Sequence, residues 1–126
     1  MSVTVARAAV VRTIKKRGAK ARRGHLRLSV GELFWYVDVR ATGVGPQAPL
    51  QLEVGAWLPA LPPEPDGGAV DCPLLADVPI PDPLADTERV LDLISGIGDL
   101  ETLAARAVEL PDVLVDRSLR ELWERG

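Results

Sequence analysis

Apolar positions change period along this chain, and each change marks a predicted element. Over residues 3–17, Val3, Ala6, Val10, Val11 and Ile14 recur every three to four positions, which predicts a helix. Lys15, Lys16 and Arg17 fall in its last turn, where cations oppose the negative end of the helix dipole, and Gly18 follows as a C-terminal cap. From His25 to Val30 the pattern alternates with period two, and Gly31 marks a turn. Leu33, Trp35, Val37 and Val39 then share one face of a second strand, with Phe34, Tyr36, Asp38 and Arg40 on the other. Residues 43–49 read as a loop. Leu50, Leu52, Val54, Ala56 and Leu58 line one face of a third strand, opposite Gln51, Glu53, Gly55 and Trp57.

Residues 59–83 hold eight of the eleven prolines, so 62–68 is predicted to project as a loop. Residues 69–79 could still add an edge strand, since prolines are tolerated at its ends. The segment is apolar enough, through Val70, Leu74, Leu75, Val78 and Ile80, to lie against the domain. Beyond it the period returns to that of helices. Asp86 or Thr87 starts one helix that runs through Ser95, and Gly96-Ile97-Gly98 breaks it. Asp99 starts a second, with an apolar face of Leu100, Leu103, Ala104, Ala107 and Val108, ended by Pro111. Asp112 starts a third, carrying Val115, Leu119, Leu122 and Trp123. The expected fold is therefore α+β: an N-terminal helix, an antiparallel sheet of three to four strands, and three C-terminal helices on one face. A length of 126 residues fits a single domain over 1–126, with the proline-rich loop inside it.

Charge adds what the hydrophobic pattern does not contain. The total is −3, but residues 1–40 carry ten Lys/Arg against two Asp/Glu, net +8, and residues 41–126 carry five against sixteen, net −11. Six cations, Lys15, Lys16, Arg17, Lys20, Arg22 and Arg23, crowd nine positions. Such a run can contact phosphates in a nucleic acid, or it can pair with the acidic half of its own chain. The acidic excess after residue 41 repels phosphate and favours a basic protein partner.

The chemical inventory is narrow. Cys72 is the sole cysteine and His25 the sole histidine, which excludes an internal disulfide and argues against a tetrahedral zinc site. Acids beside Cys72 disfavour a thiolate. His25 would act as a base only with a carboxylate in reach, for which Asp38 and Glu53 on neighbouring strands are the candidates. The Gly96–Gly98 turn lacks the rest of a phosphate-binding loop. No cofactor is expected. No apolar run is long enough for a membrane span, and the N-terminus lacks the charge order of a secretory signal. The Arg-rich, acid-poor start also has the composition of a mitochondrial transit peptide, but a plain first helix accounts for it, and a cytoplasmic location is expected.

The segments Lys15-Lys16-Arg17-Gly18 through Arg23, Leu33–Val39, Gly55-Ala56-Trp57-Leu58-Pro59-Ala60-Leu61 and Asp71-Cys72 resemble a bacterial family of domains of unknown function, number 4304. The resemblance covers about residues 10–80; Ala19 stands where that family has an aromatic residue. It implies a fold and a genomic setting, and no activity.

The expected function is a non-enzymatic interaction or accessory protein, immunity- or antitoxin-like. It would bind a protein partner through the acidic helical surface or through the aromatic sheet face, where Arg27, Tyr36, Asp38, Arg40, Glu53 and Trp57 project. The alternative is a weak nucleic-acid binder that uses Lys15 to Arg23. A small-molecule enzyme comes third. If residues 59–83 fold over the aromatic face, Tyr36 and Trp57 are core residues instead.

Overall fold

The structure, a computed structural model, describes residues 2–125. It is α+β, with four α-helices and one six-stranded antiparallel sheet in which every strand pairs with its neighbours in sequence. Helix α1 spans Val3–Lys16, with Ser2 as N-cap and Ala6, Val10 and Ile14 buried. The sheet then runs β1 (Lys20–Arg22), β2 (His25–Val30), β3 (Leu33–Ala41), β4 (Leu50–Trp57), β5 (Leu74–Pro79) and β6 (Leu114–Val115). Helices α2 (Pro83–Ser95) and α3 (Leu100–Arg106) separate β5 from β6, and α4 (Arg117–Arg125) follows.

The expected sheet was too small, and both missed strands are at its edges. β1 is only three residues long and hidden in the basic run. It forms because Arg23 and Gly24 both take positive φ, 54° and 81°, the backbone of a tight two-residue hairpin. β6 has two residues, Leu114 and Val115, paired with Leu75 and Leu74. It displaces the expected helix start at Asp112, where φ is +48°. The cap of α4 is Asp116 instead, whose carboxylate accepts from the Leu119 N–H at 3.0 Å. Of the edge strand expected over 69–79, residues 74–79 form β5, and β6 pairs with it only at Leu74 and Leu75, so among the described residues Ala76–Pro79 have no strand on that side.

Two helix expectations also need correction. α2 begins at Pro83 rather than at 86 or 87. Proline suits a first helical position, and the Asp86 carboxylate reaches back to the Asp82 N–H at 2.8 Å. α3 stops at Arg106 and tightens into a 3-10 turn over Ala107–Glu109. Leu103 and Ala107 are buried, but Ala104 is exposed and Val108 is 80% exposed, so the apolar stripe is narrower than its spacing implied.

The main core fills one face of the sheet. The register aligns Trp35 with Ala56, Val37 with Val54 and Val39 with Leu52. It continues Ala56 to Leu74, Val54 to Ala76 and Leu52 to Val78. Against these pack Ala6, Val10 and Ile14 of α1, Val90, Leu91 and Ile94 of α2, Ile97, Leu103 of α3 and Leu119 of α4. Trp35 is fully buried and its indole N–H donates to the Ile97 carbonyl at 3.0 Å, so the ring satisfies its one polar atom. The tip of the β2–β3 hairpin abuts the Gly96–Gly98 turn, where Glu32 N–H donates to the Gly98 carbonyl at 2.7 Å. Gly31 takes φ +56° there, and a Cβ on it would lie 2.4 Å from the Gly98 oxygen. Gly31→Ala is therefore expected to destabilise the fold by about 1–3 kcal/mol, measured by urea unfolding, because strain and a backbone clash coincide.

Candidate functional site

The second sheet face carries the polar positions of the alternating strands. Side chains of Lys20, Arg22, His25, Arg27, Phe34, Tyr36, Asp38, Arg40, Glu53 and Trp57 stand there, as the register requires. This face is not open. Residues 59–73 fold back over it, with a 3-10 turn at Gly68–Asp71 packed on β3 and β4. Tyr36 is 0% exposed and Trp57 7%, so these two aromatic side chains are buried under the covering segment, while Phe34 stays half-buried. The Trp57 indole N–H donates to the Leu61 carbonyl at 2.7 Å, which fixes the start of the covering segment.

The covering segment brings its own counter-charge. Glu64 Oε2 lies 2.7 Å from Arg27 Nε and 3.4 Å from Arg22 Nε, and Glu64 Oε1 accepts from Arg27 Nη2 at 2.9 Å. The Tyr36 hydroxyl donates to Glu64 and accepts from Arg22 Nη1. Arg22 Nη1 also donates to the Pro65 carbonyl at 2.6 Å. The Arg27 guanidinium lies 3.8 Å from the centroid of the Phe34 ring, a cation–π contact that fixes its plane. Charges under cover are stable only when paired and hydrogen-bonded; Glu64 bonds Arg27 Nη2 and the Tyr36 hydroxyl, while buried Arg27 Nε is ion-paired to it without forming a hydrogen bond.

No local pattern marks Glu64 as part of the site. It sits among prolines, in a loop without periodicity, and its partners are 28 to 42 residues away in the chain.

A second set of groups lies further along β3. His25 Nδ1 is 2.9 Å from Asp38 Oδ1, and Asp38 Oδ2 accepts from the Ala69 N–H at 3.0 Å. The carboxylate that His25 needed is thus present, and it holds the 3-10 turn of the covering segment in place. Gly68 allows this approach, since a Cβ there would lie 2.3 Å from His25 Nδ1. Gly55 does the same on β4, where a Cβ would meet the Ala69 carbonyl at 2.7 Å and Cys72 Sγ at 2.8 Å. The register sets Asp38, Glu53 and Asp77 side by side across β3, β4 and β5. Glu53 pairs with Arg40 at 2.9 Å, and burial raises its pKa, with the Asp77 and Asp38 charges adding to the effect. His25, Asp38, Arg40 and Glu53 line a cavity of about 560 Å³ together with Arg7 and Lys15. Among the described residues no cluster of His, Cys, Asp or Glu is arranged to hold a metal ion.

The six cations of the basic run divide in two. Arg17 bonds Glu88 and Asp92 of α2 at 2.8 and 2.9 Å, Arg22 pairs with Glu64 and Asp66, and Arg23 lies 3.5 Å from Asp66. Lys15, Lys16 and Lys20 are exposed and form no ion pair among the described residues. Much of the opposite charge therefore meets inside the molecule. Cys72 is partly buried, its thiol near the Gly68 carbonyl at 3.5 Å, and burial pushes its pKa up to about 12, with Asp38 and Asp71 contributing.

The chain matches no family model, no curated protein and no solved structure. No helix among the described residues is long and apolar enough to cross a membrane.

Tyr36 is the sole tyrosine, so its ionisation can be followed directly. Burial, then the hydrogen bond to Glu64, pushes its pKa up to about 12. A raised folded-state pKa favours the neutral phenol in the fold. That stabilisation is complete below the unfolded value of about 10 and is lost as pH rises towards 12. Tyrosinate absorbance of the native protein should rise near pH 12, and near pH 10 in denaturant. Glu64→Gln should move the native midpoint down, and a native midpoint near 10 would show that the face is open. Cys72 should likewise react with iodoacetamide at neutral pH only after unfolding.

Proposed function

We propose that this chain is a non-enzymatic interaction protein, immunity- or antitoxin-like, which engages a basic protein partner through the acidic edge formed by β5, β6 and the start of α4. One observation carries this reading. Asp71, Asp77 and Asp112 are exposed and form no ion pair among the described residues, whereas Glu64, Asp66, Glu88 and Asp92 are spent on Arg17, Arg22, Arg23 and Arg27. The same edge presents Leu114 at 68% exposure between Asp112 and Asp116, an apolar anchor with an acidic rim. The aromatic face is not part of the proposed surface, because the chain's own loop occupies it. The residues behind the resemblance to the bacterial family 4304 serve that loop as well. Gly55 makes room for Cys72, and Trp57 holds Leu61.

The nucleic-acid reading is weaker. Three of its six cations are neutralised within the molecule, which leaves Lys15, Lys16 and Lys20 to meet phosphates. Such binding would weaken by no more than about three decades per decade of salt. The enzyme reading keeps one candidate, the His25–Asp38 pair on the cavity of about 560 Å³, whose carboxylate also holds the Ala69 N–H of the covering segment.

Affinity capture from the native host tests the proposal. The wild-type chain should retain a basic protein. The double variant Asp77→Lys, Asp112→Lys should lose it by about tenfold or more at unchanged circular dichroism. Failure to retain any stable partner, or equal retention by both chains, would overturn the reading.

A further inference from the structure

The β1–β2 hairpin holds four cations, and among the described residues carboxylates answer all of them but Lys20. Lys20 stands directly opposite Arg27 in the antiparallel register, and Arg22 lies two residues along the same strand, on the same face. Like charges directly opposite each other destabilise a sheet. Glu64 answers Arg22 and Arg27 but not Lys20, which has no carboxylate within 4.0 Å among the described residues. A cavity of about 670 Å³ opens over this spot. Arg17, Lys20, Arg22 and Arg27 line it with Ser29 and Phe34, and no acid contributes to the lining.

We infer that this cavity binds a small phosphorylated ligand, its phosphate seated between the Lys20 ammonium and the free edge of the Arg27 guanidinium. Glu64 accepts from Nη2 of Arg27 and lies 2.7 Å from its Nε, and Nη1 is left without a partner among the described residues. The Phe34 ring and Glu64 hold the guanidinium plane fixed, so little side-chain entropy is lost when an anion arrives. Lys20 adds a mobile point charge, and the Ser29 hydroxyl, two residues from Arg27 on the same face, can donate or accept. Size and surroundings select the ligand. Glu64, Asp66, Glu88 and Asp92 bond the cavity's arginines from outside, so an extended polyphosphate backbone would run against carboxylates on leaving it. A compact dianion takes the cationic centre and avoids that rim. A diphosphate or phosphomonoester fits this description, and a nucleic-acid strand does not.

Titration calorimetry of the full chain with pyrophosphate at low salt tests this inference. One saturable site is expected. Lys20→Ala should weaken binding about tenfold, the loss of one charge-assisted contact. Lys16→Ala, which removes the same charge outside the cavity, should leave it unchanged. Lys20 is exposed, so the variant keeps the fold, and unchanged thermal unfolding confirms that. A nucleoside diphosphate that binds more tightly than pyrophosphate would extend the site to the base, and equal affinity would confine it to the phosphates; both support the inference. No binding of pyrophosphate, or equal losses in the two lysine variants, overturns it. So does a single-stranded oligonucleotide that binds more tightly than pyrophosphate and is indifferent to Lys20→Ala.

Discussion

The carboxylate of Glu64 is the counter-charge on which closure of the second sheet face depends. Covering that face removes Arg22, Arg27 and Tyr36 from most of their water. An ion under cover without a partner costs several kcal/mol, more than a covering loop gains from its few apolar contacts. Glu64 meets Arg27 at 2.7 Å, bonds the Tyr36 hydroxyl and lies near Arg22. Asp38 does the same further along, between His25 and the Ala69 N–H. These contacts require close approach, and Gly55 and Gly68 provide it, because a Cβ at either position would strike the opposing segment. Carboxylates and glycines together close the face.

The sheet topology explains what became of the charge split. Each strand pairs only with its neighbours in sequence, so order along the chain becomes order across the sheet. The basic first forty residues supply β1, β2 and nearly all of β3 at one side, and the acidic remainder supplies β4, β5 and β6 at the other. Left so, the sheet would be strongly dipolar. Two segments from the acidic part cross back: residues 59–73 bring Glu64 and Asp66 to Arg22, Arg23 and Arg27, and α2 brings Glu88 and Asp92 to Arg17. Among the charges that form no ion pair with the described residues are lysines near α1 and β1 and aspartates near β5 and β6. Those two groups are where the proposed anion and the proposed partner are assigned.

Much of the fold was legible in the sequence for a physical reason. α1 and β2 to β4 each bury one face, and burial of one face imposes a period of 3.6 or 2 on the apolar residues. Val10 and Ile14, or Trp35 and Val37, announce their elements without reference to anything distant. β1 and β6 escaped because three and two residues are too few to display a period. The narrowed apolar face of α3 escaped because Ala104 and Val108 have the right spacing but nothing opposite them. The candidate residues Arg27, Tyr36, Asp38, Arg40, Glu53 and Trp57 were placed on their shared face correctly, because alternation fixes the face of a strand. What alternation cannot state is whether that face meets water.

The sequence by itself thus determined the α+β class, the facing of the central strands and the sharp separation of charge, since all three are set by near neighbours or by simple composition. The tertiary structure alone decided that the polar face is covered, that Glu64 is the ion doing so, and that Lys20 is left opposite Arg27 with no carboxylate beside it among the described residues. Those outcomes depend on register and on contacts between segments tens of residues apart. Pairing of that kind is a property of distances in space, and a proline-rich loop carries no local pattern from which those distances follow.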